Sequence, residues 1–130
     1  MTILFFSSLT FAQQKEHKIV FDFAKGDTAQ YSMMIRQAKN IMLISSDSKL
    51  EIVCHGPGLD LVIKDKTTVL KEIEELQTKF NVVFAACEST MKRRGVEKDQ
   101  LLMNVKTVPL ANLEFSSKQQ EGWSYIKAGY

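Results

Sequence analysis

Short apolar runs alternate along this chain with longer stretches whose apolar residues recur every three or four positions. "HKIVFDF" (His17–Phe23) is apolar and β-branched enough for a buried strand. Gly26 permits a turn, and Asp27 with Gln30 three residues on resembles a capping box at a helix start. The helix that follows places Tyr31, Met34, Ile35, Ala38, Ile41 and Met42 on one face. After the polar loop "SSDSK", "LEIVC" (Leu50–Cys54) predicts a second strand, broken by "HGPG" (His55–Gly58). "LDLVIK" (Leu59–Lys64) reads equally as a helical turn or a short strand.

Thr68 opens a clearer helix with Val69, Leu70, Ile73, Leu76 and Phe80 as its core stripe. "NVVFAAC" (Asn81–Cys87) predicts the third strand, and "ESTMKRRG" (Glu88–Gly95) a short helix closed by glycine. The polar, helix-prone "VEKDQLLMN" leads to "VKTVP" (Val105–Pro109), read as the last strand. A final helix from about Ala111 carries Leu113 early and Trp123 and Ile126 late, though its middle, "SSKQQEG", lacks apolar anchors. Met33, Met34, Met42, Met91 and Met103 read as core filler, and Trp123 and Tyr125 as packing or subunit contacts. Strands alternating with helices, with no linker or repeat between them, predict one α/β domain with a parallel sheet.

Composition narrows the function. The 130 residues suffice for one core without disulfides or metal. A net charge of +2, with no Lys/Arg stripe interleaved with aromatics, argues against a nucleic-acid partner. "MTILFFSSLTFA" carries no charged side chain and ends in Thr10-Phe11-Ala12, small at both positions that a signal peptidase reads. Residues 1–12 are therefore expected to be a signal peptide too short to span a bilayer, leaving 13–130 as an exported, periplasmic domain free of the membrane. The departure from the usual pattern is the missing Lys or Arg at its start.

In a parallel sheet all strands end on one rim, and ligands bind outside those ends. The rim collects Asp22 with the "AKGD" turn, Cys54 with "HGPG", and Cys87 with Glu88. Cys87 sits where a strand becomes a helix, so free N–H groups and the positive dipole end favour its thiolate. Arg93 and Arg94 add positive potential if they fold back, whereas Glu88 opposes the anion. The alternative is a buried cysteine acting as a small hydrophobe. His55 reads either as an auxiliary near the thiol or as a cap of its own turn. Cys54 reads as a core residue, with a Cys54–Cys87 disulfide possible only if their strands are neighbours. Ligand spacing for a metal and glycine patterns for a nucleotide are both missing, so neither cofactor is expected.

"NVVFAACESTMKRRGV" resembles the strand–cysteine–helix segment of the DsrE/DsrF-like family, which includes the TusD-type sulfur-relay proteins. The shared pattern is an apolar strand, Cys87, five residues, then Arg93-Arg94-Gly95-Val96. "VCHGPGLDLVIK" and "KQQEGWSYIKAG" are similar to an exported, single-domain branch of that family. The resemblance implies a three-layer α/β/α, flavodoxin-like fold on a mostly parallel sheet of four to five strands, assembled as a homo-oligomeric trimer or hexamer. It also implies that Cys87 accepts sulfur as a persulfide and passes it on, with unspecified donor and acceptor proteins. The resemblance carries a role over to Cys87 alone. From their own places on the rim, His55 is expected to assist and Gly56, Gly58, Glu88, Arg93 and Arg94 to line the site. The rival reading is a non-catalytic oligomeric module that binds a small ligand or partner at the same rim.

Overall fold

Val20 and Phe21 leave the first strand on opposite sides and both are buried, so the sheet is covered on both faces. The computed structural model describes residues 2–5 and 16–129. Five strands form the sheet: β1 (Lys18–Phe23), β2 (Lys49–Cys54), β3 (Val83–Cys87), β4 (Lys106–Val108) and β5 (Ser124–Ala128). Their spatial order is β4-β3-β2-β1-β5, and every neighbouring pair is parallel. Four helices connect them: α1 (Thr28–Ile44), α2 (Leu70–Lys79), α3 (Glu88–Arg94) and α4 (Ala111–Gln120). The result is the expected three-layer α/β/α architecture.

The first face carries Phe21, Phe23, Leu50, Ile52, Phe84 and Ala86, packed against α1, α2 and Met91 of α3. Burying each large side chain there contributes about 1.5–3 kcal/mol. The second face carries Val20, Val53, Ala85, Cys87 and Val108, packed among the described residues against Ala111 and Phe115 of α4, with Trp123 at the margin. One face is thickly covered and the other thinly.

Several expectations need correction. The C-terminal segment is not one helix through Ile126: α4 ends at Gln120, the chain turns, and Ser124–Ala128 adds a strand beside β1. "VKTVP" is therefore not the last strand. Leu113 is exposed, as are Leu70 and Met103, so the three leave the predicted core while the other four methionines remain in it. "LDLVIK" resolves into the end of a 3-10 helix, Gly56–Val62, followed by an antiparallel bridge from Ile63 to Leu101. Asp27 does cap α1, accepting the Gln30 N–H at 3.0 Å, but Gln30 Oε1 makes no return bond. Residues 6–12 of the expected signal segment, with its Thr10–Ala12 cleavage motif, lie outside the described residues; Thr2–Phe5 are exposed.

Candidate functional site

The topology singles out one place on the rim. The steps β1→β2→β3→β4 all move toward the same edge, whereas β4→β5 crosses back to the opposite one. Adjacent strands β3 and β4 therefore send their helices to opposite faces. Met91 of α3 joins the first-face core, and Ala111 and Phe115 of α4 join the second. Such a switch point opens a crevice at the carboxyl ends of the two strands. Cys87 is the last residue of β3 and pairs with Val108 of β4, so it lies at that switch point.

Both diverging helices present backbone N–H groups to its sulfur. Ala111 N–H, in the first turn of α4, donates to Cys87 Sγ at 3.4 Å. Burial pushes the thiol pKa up, but the N–H of Thr90, the N–H of Ala111, the Thr90 hydroxyl and the Ser89 N–H outweigh it, and the thiol lies below its ordinary value. The α4 contribution was not legible in sequence, because it comes from a helix 24 residues away. The residue itself is only 2% exposed and lies among Val20, Val53, Val108 and Phe115. Cys87 is at once amide-capped and covered.

Thr90 ties the "HGPG" turn to this sulfur. Its Oγ1 accepts the Gly56 N–H at 3.1 Å, and its hydroxyl is one of the groups that lower the Cys87 pKa. Two glycines make the turn possible. Gly56 has φ +52°, and a Cβ on Gly58 would come within 2.4 Å of Phe23 O, so the turn packs directly on the end of β1. Arg94 clamps the turn from outside, donating to Gly56 O at 3.0 Å and pairing with Asp60 at 2.6 Å. Its guanidinium is thus engaged by the turn. Arg93 is exposed on α3 and forms no ion pair among the described residues. Glu88, also exposed, accepts the Thr107 hydroxyl at 2.7 Å.

His55 occupies the position after Cys54. The β2–β3 register ends at Cys54 with Ala86, and His55, one residue beyond, packs against Phe115 of α4 on the second face. Its imidazole reaches Asp22 of β1, with Nε2 2.5 Å from Asp22 Oδ1. Burial raises the Asp22 pKa, but hydrogen bonds from His55 and Tyr125 and the charges of His55 and Lys127 hold it below the carboxylate norm. An ionised Asp22 accepts, so His55 Nε2 carries the proton of this bond. Tyr125 donates its hydroxyl to the other Asp22 oxygen, and Phe115 packs edge-on against both His55 and Tyr125. The chain Tyr125–Asp22–His55 thus runs along the rim from β5 through β1 to the end of β2. The sequence puts Asp22 and His55 on the rim but hides Tyr125 as a partner, because the segment that forms β5 reads as helix.

Cys54 is fully buried in the first-face core and its thiol pKa is pushed far up by burial. Among the described residues no group of three or more His, Cys, Asp or Glu is placed to share a metal ion, and no helix is long and apolar enough to cross a membrane.

No curated protein matches the sequence. The solved structure of MTH1491, a protein of unknown function from Methanobacterium thermoautotrophicum, matches with a TM-score of 0.81 at 26% identity, covering 86% of this chain and 99% of that one. BT1422 from Bacteroides thetaiotaomicron matches at 0.69 and 16% identity, covering 85% and 93% of the two chains. The ychN protein from E. coli matches at 0.66 and 13%, covering 86% and 98%, and these last two show the fold alone. The model of the DsrE/DsrF-like family matches residues 3–128, and the chain belongs to that family.

Proposed function

We propose that this protein carries sulfane sulfur as a persulfide on Cys87. The supporting observation is the cysteine at the β3/β4 switch point, whose sulfur faces N–H groups from two helices and the Thr90 hydroxyl. Those donors favour the thiolate, which is the nucleophile in sulfur exchange. The thiolate attacks the terminal sulfur of a donor persulfide, R–S–SH. A new S–S bond forms on Cys87, the donor S–S bond breaks, and the donor leaves as R–S⁻. No external oxidant is needed, because the sulfane sulfur arrives already oxidised. His55, held by Asp22, assists by moving a proton.

Mass spectrometry of the protein incubated with polysulfide tests the reading. A gain of about 32 Da, one sulfur atom, is expected on wild type and not on Cys87→Ala. An unmodified wild type overturns it. That result favours the second reading, a non-catalytic module binding a small ligand or partner at this rim, for which the 2% exposure of Cys87 speaks directly.

Export to the periplasm and assembly as a trimer or hexamer belong to the same proposal. Export rests on the twelve uncharged residues at the start, and assembly on the family resemblance. N-terminal sequencing of protein recovered from cells, expected to begin at Gln13, and light scattering of the purified protein test the two.

A further inference from the structure

Cys87 is 2% exposed, and much of what covers it on the second face is one helix. Ala111 at the start of α4 lies against the sulfur at 3.4 Å, and Pro109 just before it accepts the Ser89 N–H at 3.3 Å. A sulfur donor of any size must displace this segment to reach the thiol. The apolar hold on α4 is slight. It buries Ala111 and Phe115, whereas α1 buries Tyr31, Met33, Met34, Ile35, Ala38 and Met42. Leu110 and Leu113 are exposed and anchor nothing. Elements with few buried apolar contacts open locally at a lower free energy than the whole fold.

Beyond those two backbone N–H bonds at its start, the ionic tie of α4 to the sheet runs through one side chain. Lys106 of β4 contacts Glu51 Oε1 on β2 and lies 3.6 Å from Glu114 Oε1 on α4. Glu51 is 1% exposed, and among the described residues neither of its carboxylate oxygens has a properly directed hydrogen bond. Lys106 is therefore the cation that joins the sheet to α4. We propose that α4 is a cover over Cys87 that opens separately from the rest of the fold, with Lys106, bridging Glu51 and Glu114, as its latch. The latch is reachable from outside: Glu51, Lys106, Lys118 and Trp123 line a groove of about 340 Å³. An acidic group entering that groove meets the same ammonium that holds α4.

Alkylation of the reduced, full-length protein by iodoacetamide tests this without any sulfur transfer, since peptide mapping follows Cys87 and Cys54 separately. Running it at several pH values separates thiolate fraction from access. In wild type, Cys87 reacts far more slowly than in the urea-unfolded chain, and Cys54 remains unreacted. Phe115→Ala and Lys106→Ala each speed Cys87 by about tenfold or more, with Cys54 still protected. Hydrogen exchange on wild type gives a second measure that no folding failure can spoil: the α4 amides exchange faster than those of α1. The proposal is overturned if wild-type Cys87 reacts as fast as in the unfolded chain. It also falls if both variants leave the Cys87 rate unchanged, or if α4 and α1 exchange together.

Discussion

Cys54 and Cys87 end neighbouring strands yet point to opposite faces of the sheet. Cys54 pairs in register with Ala86, so Cys87 is one residue further on, and one step along a strand reverses the side chain. The strands are adjacent, as a disulfide would require, but the pleat puts one thiol among the first-face core and the other beneath α4. Both cysteines are free. Treatment of the folded protein with a mild disulfide-forming oxidant is therefore expected to leave no intramolecular bond. Thiol counting after denaturation, with intact-mass analysis, checks this; a loss of two hydrogens with both thiols consumed contradicts it.

The same alternation explains what could be read in advance. Helix α3 is marked by the glycine that closes it, whereas the helices α1 and α2 and the strands β1 to β3 announce themselves by period, because each buries one strong apolar stripe or run. β5 does not. It is an edge strand with Ser124–Lys127 exposed, so nothing in "WSYIKA" demands two-residue periodicity, and the polar "SSKQQEG" before it hides the end of α4. Without β5, Tyr125 was invisible as a partner of Asp22. Cys87 and His55 were legible as rim residues because they stand beside breaks in the pattern. Thr90 was not, since a threonine inside a short helix looks ordinary until the loop that uses it is in place.

Asp22 is expected to govern acid stability on the second face. Its folded pKa lies below the ordinary 3.8, so the unfolded chain takes up the proton first. The stabilisation is present above pH 3.8 and is lost as pH falls through the folded value. Asp22→Asn should cost about 2 kcal/mol near neutrality by weakening charge-assisted bonds to His55 and Tyr125. Urea melts of both proteins should converge in acid. An equal difference at all pH values would mean that Asp22 is not ionised in the fold.

Tyr125 reports the same contact from the alkaline side. Burial, the bond to Asp22 and its negative charge push the phenol up to about 12. The stability tied to the neutral hydroxyl is complete below pH 10 and fades as pH rises toward that value. Ultraviolet titration, with Tyr125→Phe as the difference reference, should show this late ionisation. In Asp22→Asn it should move back toward 10.

The turn after β2 should tolerate change unequally at its glycines. Gly58→Ala drives a Cβ to 2.4 Å from Phe23 O, which is backbone and has little room to retreat. The expected loss is about 1–3 kcal/mol. Gly56→Ala meets no atom within 4 Å, and its cost is the left-handed φ of +52° alone, about 1–2 kcal/mol. Displacing the turn also moves the Gly56 N–H that Thr90 accepts. Gly58→Ala should therefore lower stability and raise the Cys87 pKa together, as thiol titration of the two variants would show.

Glu51 is expected to weaken the fold at neutral pH. Burial raises its pKa more than the Lys106 contact lowers it, and nearby Glu114 raises it further. Its stabilisation is thus greatest below pH 4.5 and declines as the carboxylate forms. Glu51→Gln keeps the shape and removes the charge, leaving Lys106 to Glu114. Its thermal midpoint should exceed wild type near pH 7 and match it near pH 4, judged against the ordinary glutamate value of 4.5. A variant less stable than wild type at both pH values would show that the ion contact outweighs desolvation.

Thr90→Val separates thiolate control from mere packing. The substitution keeps a branched side chain in the same buried position but removes the hydroxyl that lowers the Cys87 pKa and the acceptor for Gly56 N–H. Leaving that N–H unpaired costs about 1–3 kcal/mol of stability. The Cys87 pKa should rise toward the ordinary thiol value, followed by thiolate absorbance, which Cys54 does not obscure because its own pKa lies far higher. If sulfur uptake runs through the thiolate, its rate below the shifted pKa should fall in proportion to the thiolate lost and recover at higher pH. Thr90→Ser restores the hydroxyl and should restore the pKa even if some stability stays missing. A pKa unchanged in Thr90→Val would leave the two helix N-termini as sufficient support for the anion.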